Sequence, residues 1–374
     1  MWLLLIMIVI VSGCVQQDDY ERQREHKLSD SRGDIIVGVS WPFADMDDGF
    51  SEGLELALDE IHATGGSGRL VKLIIEDEQT SVATGMTIAQ SYAENPEMVA
   101  VIGHRSSSIA LPVASIYQNA GLLYLSPSAT SHKLAASKLS RYISLIPNDR
   151  QEGERLVEYA ASAGYKKIVI FYSKDEYGKG LADSFEDAAK AHGMQIVDRV
   201  SDYEDPKRLR HYDEKWKLLG YDAVLLAEMM PNAAQFLASF RADGIQVPII
   251  GGKGIDSLKL LQEAGHAAEG AVVVSIFDPD RGDEAVQSFM NKFKRKYGHE
   301  PSTWAVQAYD SLTLLVSAIE KAGSRRPDDI AAVLKQSKLW PGVAGPRSFD
   351  AYGVVYDMPI MLKQVKDGQF NDLK

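Results

Sequence analysis

Three consecutive hydroxyl residues, Ser106, Ser107 and Ser108, follow the apolar run Ala100 to Ile102 and Gly103, where a strand gives way to a helix. The first N–H groups of a helix have no partner within it, so such a start offers donors and a positive dipole end to an anion. A carboxylate there would gain about 0.3–1 kcal/mol from the dipole and about 1.5–3 kcal/mol per charge-assisted hydrogen bond. The same serines could instead merely cap the helix.

Catalytic constellations are hard to find around them. The turn SWPFADMDDG lacks the GxGxxG fingerprint, and GGKG lacks the spacing and the following Ser or Thr of a phosphate-binding loop. Neither a GxSxG elbow nor an HExxH pair occurs, and the eight histidines are scattered. His104, beside the serines, reads as scaffold. The acidic stretch 45–49 would place Ala44 and Met46 at calcium-ligand positions of an EF-hand and reads as a solvated loop. No metal, cofactor or enzymatic role is expected. A net charge of −12 without basic stripes argues against nucleic acid.

The elements that must carry these residues alternate between two periods. Ile35–Val39, Val71–Ile75, Val99–Ile102 and Leu122–Leu125 are short, Val- and Ile-rich runs suited to parallel strands buried on both faces. Phe50, Leu54, Ala57, Leu58 and Ile61 share one helical face, which Gly65-Gly66 ends. After Pro147 the same grammar continues. Helices are expected near 151–163, 180–192, 207–219, 233–242 and 257–264, with strands at 168–172, 195–199, 223–227, 247–250 and 271–276. Two long helices follow, from Glu284 to Tyr297 and from Thr303 to Ala322. Pro, Gly and Asp cluster at 145–151, 276–282 and 345–353, marking three breaks.

The apolar run Met1 to Val11 falls short of the roughly 20 residues of a membrane span and reads as an export signal over residues 1–13. Val11-Ser12-Gly13-Cys14 resembles a bacterial lipobox, which makes Cys14, the single cysteine, the lipid attachment point. Residues 15–33 are almost wholly polar and are expected to form a flexible tether, with an end-to-end distance of about 25 Å. A helix from Tyr20 to Leu28 is the alternative.

The segments GVSWPF, GLELALDEIHATGG, LIIEDEQT, AVIGHRSSS, LLYLSPSAT, SKDEYGKGLADSF, IIGGKG, AAEGAVVVSIFDP and AYDSLTLLVSAI follow one another over nearly the whole mature chain. In that order they resemble the type I periplasmic binding proteins, specifically the branched-chain amino-acid (leucine/isoleucine/valine) binding family. The resemblance implies an α/β fold of two Rossmann-like, doubly wound lobes joined by three hinge crossovers. Lobe 1 would comprise residues 34–147 and 277–345, and lobe 2 residues 148–276 and 346–374. It also implies a monomeric, lipid-anchored extracytoplasmic protein that closes on a small carboxylate-bearing ligand and passes it to an ABC permease of the branched-chain amino-acid type. A sensor subunit for a signalling partner is the alternative.

By the same resemblance, Ser107 donates its hydroxyl and N–H to the ligand carboxylate. Thr130, from the same lobe, supplies a second donor pair, and the Ser128 carbonyl accepts from a ligand amine. Tyr177 covers the ligand from the other lobe with its hydroxyl bonding outward. Met229 and Met230 replace frequent tyrosines and make the pocket more apolar. Lys253 stands where the amino-acid binders carry an acid that pairs with the ligand ammonium. A cation there implies a ligand that lacks a free ammonium or brings a second anion, unless Lys253 points to solvent.

Overall fold

The structure, a computed structural model, describes residues 19–46, 48–65, 68–201 and 206–373. Cys14 and the apolar leader lie outside these residues. The chain divides into two compact units. Unit 1 holds Met1–Ala129, Lys133–Ile146 and Asp283–Met358, and unit 2 holds Thr130–His132, Pro147–Gly282 and Pro359–Lys374.

In chain order, residues 19–27 form helix α1. There follow β1 (Ile35–Trp41), α2 (Phe50–Ala63), β2 (Val71–Asp77), α3 (Val82–Glu94), β3 (Met98–Ile102), α4 (Ser107–Asn119), β4 (Leu123–Ser126), α5 (His132–Ala136) and β5 (Tyr142–Ser144). The strands of unit 1 pair in the order β2-β1-β3-β4-β5, all parallel. β1 and β3 are neighbours although β2 lies between them in sequence, so the winding reverses there. At that switch point the loops after the two strands separate and leave a crevice outside the carboxyl ends. Val39 pairs with both Ile75 and Ile102, which brings Ser40, Glu78 and Gly103 to one edge. A Cβ on Gly103 would strike the Ser40 carbonyl, so only glycine lets the loop turn so close to β1.

Unit 2 repeats the plan with α6 (Asp149–Ser162), β6 (Lys167–Tyr172), α7 (Glu176–Ala191), β7 (Gln195–Val200), α8 (Pro206–Leu219), β8 (Ala223–Ala227), α9 (Asn232–Ala242), β9 (Ile249–Gly251), α10 (Leu258–Ala264) and β10 (Val272–Ser275). Its core follows from strand alternation. Ile168 and Ile170 face Leu181 and Phe185, while Val169 and Phe171 face Trp216, Phe236 and Phe240 on the other side. The chain then adds α11 (Glu284–Tyr297), α12 (Thr303–Ala322) and α13 (Pro327–Gln336) to unit 1. α12 packs on α2 so closely that a Cβ at Gly53 would overlap the Ala305 carbonyl. An antiparallel hairpin, β11 (Met361–Lys366) and β12 (Gln369–Leu373), completes a seven-stranded sheet ordered β12-β11-β10-β9-β8-β6-β7. Here the switch point lies between β6 and β8.

Two expectations from the sequence need correcting. The stretch 19–33 is not a free tether, because α1 carries a buried Arg24 and is followed by a buried Leu28. The second and third crossovers fall at 282/283 and 358/359 rather than 276/277 and 345/346. Residues 346–358 stay with unit 1 because short bridges pair Trp340 with Arg347, Phe349 with Val355 and Ser144 with Val354. The buried Arg347 also donates to the Leu145 carbonyl and to Asp310. The Gly- and Asp-rich composition marks tight turns in a packed loop, not a linker. Among the described residues no helix is long and apolar enough to cross a membrane.

Candidate functional site

Each residue marked in the sequence as a ligand contact lies beyond the carboxyl end of a strand, where an open α/β sheet binds its ligand. Ser107 follows β3, Ser128 and Thr130 follow β4, Tyr177 follows β6, Met229 follows β8 and Lys253 follows β9.

In unit 1 the capping and anion readings fall on different serines. Ser106 is the N-cap and its hydroxyl accepts from the Ile109 N–H, whereas Ser107 is the first helical residue and is buried. The loop that presents Ser107 is braced from below. Glu78, fully buried, accepts from the Ser40 hydroxyl at 3.0 Å and the Arg105 N–H at 3.0 Å, and lies 2.5 Å from His104 Nδ1. His104 Nε2 lies 2.7 Å from the Tyr117 hydroxyl. Burial alone would raise the pKa of Glu78, but the His104 charge and hydrogen bond, with the hydrogen bonds from Arg105 and Ser40, outweigh it and hold the carboxyl below its ordinary value. His104 is thus the scaffold residue the sequence suggested, and Glu78 is the partner that the sequence did not reveal.

Arg105 braces the loop from the side. It donates from Nη1 to the Ser128 hydroxyl at 3.0 Å, and that hydroxyl donates back to the Arg105 carbonyl at 2.8 Å. Its guanidinium lies over the Trp304 ring, 4.0 Å from the centroid, and Nε is 3.8 Å from Asp48. Asp48 also accepts from the Trp41 indole, so this end of the acidic stretch points inward rather than into solvent.

Thr130 groups with unit 2, not with Ser107. Its carbonyl accepts from the Asp149 N–H and its hydroxyl accepts from Lys253 Nζ at 2.9 Å. Lys253 is only 4% exposed, which removes the solvent-pointing alternative. The ammonium lies 4.1 Å from the centre of the Tyr177 ring and 3.6 Å from Glu152 Oε2. Glu152 Oε1 accepts from the Lys253 N–H at 2.6 Å and from the Tyr177 hydroxyl at 3.2 Å. The Tyr177 hydroxyl therefore bonds inward, contrary to expectation, and accepts in turn from the Gly254 N–H. A capping box at Asn148 and Gln151 starts α6 and sets both Asp149 and Glu152 in its first turn. Met229 is partly buried against the same apolar cluster as Tyr177, while Met230 packs into the opposite face of the sheet.

The carboxylates change the electrostatics that Lys253 implied. With Glu152 beside it and Asp149 close by, the ammonium belongs to a locally balanced cluster, so like-charge repulsion of a ligand amine no longer follows. Neither carboxyl oxygen of the fully buried Asp149 completes a hydrogen bond of good geometry. Desolvation pushes its pKa up to about 7 against the pull of Lys253. Glu228, buried at the end of β8, is raised by desolvation to about 7 as well.

Unfolded carboxyls titrate near about 4, so between there and about 7 the folded chain holds protons that the unfolded chain has released. The stabilisation from these two groups is complete below about pH 4 and is lost as the pH rises through 7. The melting temperature should therefore fall between about pH 5.5 and about pH 7.5, and Asp149→Asn should flatten that slope in a calorimetric series. An unchanged slope would place the proton elsewhere.

Two doubly wound units, with the marked residues beyond the carboxyl ends of their strands, have the architecture of a sheet-edge ligand-binding protein. The profile of the periplasmic binding protein family matches residues 35–369. The chain is 28% identical over 351 residues to a Leu/Ile/Val-binding protein homolog 2 of Brucella abortus, covering 91% of this chain and 94% of that one. A solved ABC transporter substrate-binding protein of Desulfitobacterium hafniense, in complex with Leu, is similar at 40% identity and a TM-score of 0.83, over 91% of this chain and all of that one. The Streptococcus pneumoniae branched-chain amino-acid substrate-binding protein LivJ, in complex with isoleucine, matches at 25% identity and a TM-score of 0.81, covering 90% and 97% of the two chains. The chain belongs to the type I periplasmic binding proteins, in their branched-chain amino-acid family, whose members act outside the cytoplasm and are not enzymes.

Proposed function

We propose that the protein is the lipid-anchored receptor of an ABC permease of the branched-chain amino-acid type, and that it captures a leucine-like amino acid by closing its two units. The observation that carries this reading is Ser107, buried at the first position of α4 beyond β3, with its loop braced by Glu78 and Arg105. Its hydroxyl and N–H are the donors for the ligand carboxylate, and Thr130 adds donors to the same anion. The leucine in the Desulfitobacterium relative, at 40% identity, supports the ligand class. The balanced cluster of Lys253, Glu152 and Asp149 supports tolerance of an ammonium, and Met229 supplies adaptable apolar contact. A micromolar complex needs about 8 kcal/mol net, within reach of two such anchors and a buried aliphatic side chain.

A thermal-shift panel of leucine, isoleucine, valine, benzoate and dicarboxylates on the full chain tests the class. Leucine or a close aliphatic analogue is expected to give the largest shift; a dicarboxylate or benzoate preference would refute the reading. In calorimetric titration Ser107→Ala should weaken binding by about 10- to 150-fold, the equivalent of one charge-assisted hydrogen bond.

A further inference from the structure

Helix α1 is fastened to unit 1 in a way that its polar composition conceals. Arg24, 1% exposed, passes its guanidinium between the carboxyl ends of α3 and α4. Nε donates to the Met98 carbonyl at 3.1 Å, and Nη2 donates to those of Ala93 at 2.8 Å and Asn95 at 2.7 Å. Nη1 donates to the Ala120 carbonyl, the cap residue of α4. These are the partly negative ends of two helices, where a cation is stabilised. Burial lowers the guanidinium pKa to about 10, so it stays charged at neutral pH.

On its other side α1 is held by Arg141, which bridges Glu21 at 2.5 Å and Asp328 at 2.7 Å. The chain after α1 is held by Arg325, which donates to the carbonyls of Asp30 at 2.7 Å and Asp34 at 2.9 Å. Leu28, between these anchors, is fully buried. Every one of these partners belongs to unit 1.

We propose that the N-terminal segment is a strap rather than a tether: α1 is a folded part of unit 1 and holds that unit directly against the lipid surface through the acylated Cys14. This rests on the reading of Cys14 as lipidated. From Cys14 to residue 19 there are five Cα steps, which span at most about 18 Å. A free chain from Cys14 to Gly33 could extend to about 65 Å. The anchor therefore restrains unit 1 and reaches unit 2 only through it.

The test uses the full lipidated chain in phosphatidylethanolamine/phosphatidylglycerol vesicles that carry an acceptor dye on a fraction of the headgroups. Glu97→Cys, on the half-exposed loop beside α1, gives the sole reactive thiol for a donor dye, since Cys14 is acylated. Inserting ten Gly/Ser residues after Gln17 triples the free chain of a strap, so energy transfer to the headgroups should fall at least twofold. Arg24→Ala, which frees α1, should lower it likewise without an insertion. A coil already free to Gly33 would lengthen by only about a quarter on insertion. Transfer unchanged by the insertion overturns the strap even if mass spectrometry finds the diacylglycerol on Cys14. A mature protein without that mass instead removes the anchor reading, and the strap with it.

Discussion

Glu152→Ala is expected to destabilise unit 2 by about 3–5 kcal/mol and to abolish measurable leucine binding, because it removes the carboxylate 3.6 Å from the buried Lys253 ammonium. Two groups lose their acceptor at once, the Lys253 N–H at 2.6 Å and the Tyr177 hydroxyl at 3.2 Å, while the Lys253 ammonium loses an ion-pair partner at 3.6 Å. Asp149 remains close by and would take over part of the ion pairing. Its pKa should therefore move down, since the repulsion from Glu152 disappears while the attraction of Lys253 remains, although desolvation, the largest cause of its elevation, persists. Glu152→Gln keeps an acceptor oxygen but not the charge and should recover part of the stability. Denaturant unfolding of the three proteins checks the order wild type, Gln, Ala. Equal stability of the Gln and Ala variants would show that charge, rather than hydrogen bonding, dominates.

Arg347→Ala should cost unit 1 a similar amount, about 3–5 kcal/mol, for a related reason. The guanidinium is 1% exposed and donates to Asp310 at 2.8 Å, to Gln307 at 3.0 Å and to the Leu145 carbonyl at 2.9 Å. Asp310, equally enclosed, also accepts from the N–H groups of Val343 and Ala344. Truncating the arginine strands a carboxylate in the core, so Asp310→Asn in the Arg347→Ala background should restore part of the loss. Removing the exposed pair Arg150–Glu154 should by contrast change stability by less than about 0.5 kcal/mol. Scanning calorimetry, which resolves the two units if they melt separately, measures each effect.

Both networks explain why much of the site was invisible in the sequence. The strands and most helices follow from period alone: Ala223–Ala227, Glu284–Tyr297 and Thr303–Ala322 stand where apolar spacing puts them. Ser107 could be marked because it opens a helix after a legible strand, whereas Ser128, Thr130, Tyr177, Met229 and Lys253 could be marked only through the family resemblance. Their partners could not, since Glu152 is 101 residues from Lys253, and Glu78 reads as one more acid in EDEQT.

Helix α1 stood in the sequence only as the alternative over Tyr20 to Leu28, and its attachment to unit 1 was hidden for another reason. A search for an apolar stripe misses a helix held by a buried guanidinium, whose carbonyl acceptors belong to α3, α4 and the loops that follow them. The hairpin of β11 and β12 does carry a signal in the sequence, the Asp367-Gly368 turn, and both residues take positive φ between the paired strands. Proline, glycine and aspartate between 345 and 353 suggested a crossover because composition alone does not distinguish a solvated turn from one locked around Arg347.

A crystal structure of the full chain grown with leucine would weigh the receptor reading most directly. The ligand carboxylate should lie within about 3.2 Å of both the Ser107 hydroxyl and the Ser107 N–H, with the Thr130 hydroxyl on the same anion. A carboxylate seated away from Ser107, or Ser107 and Thr130 bound to different groups, would contradict it.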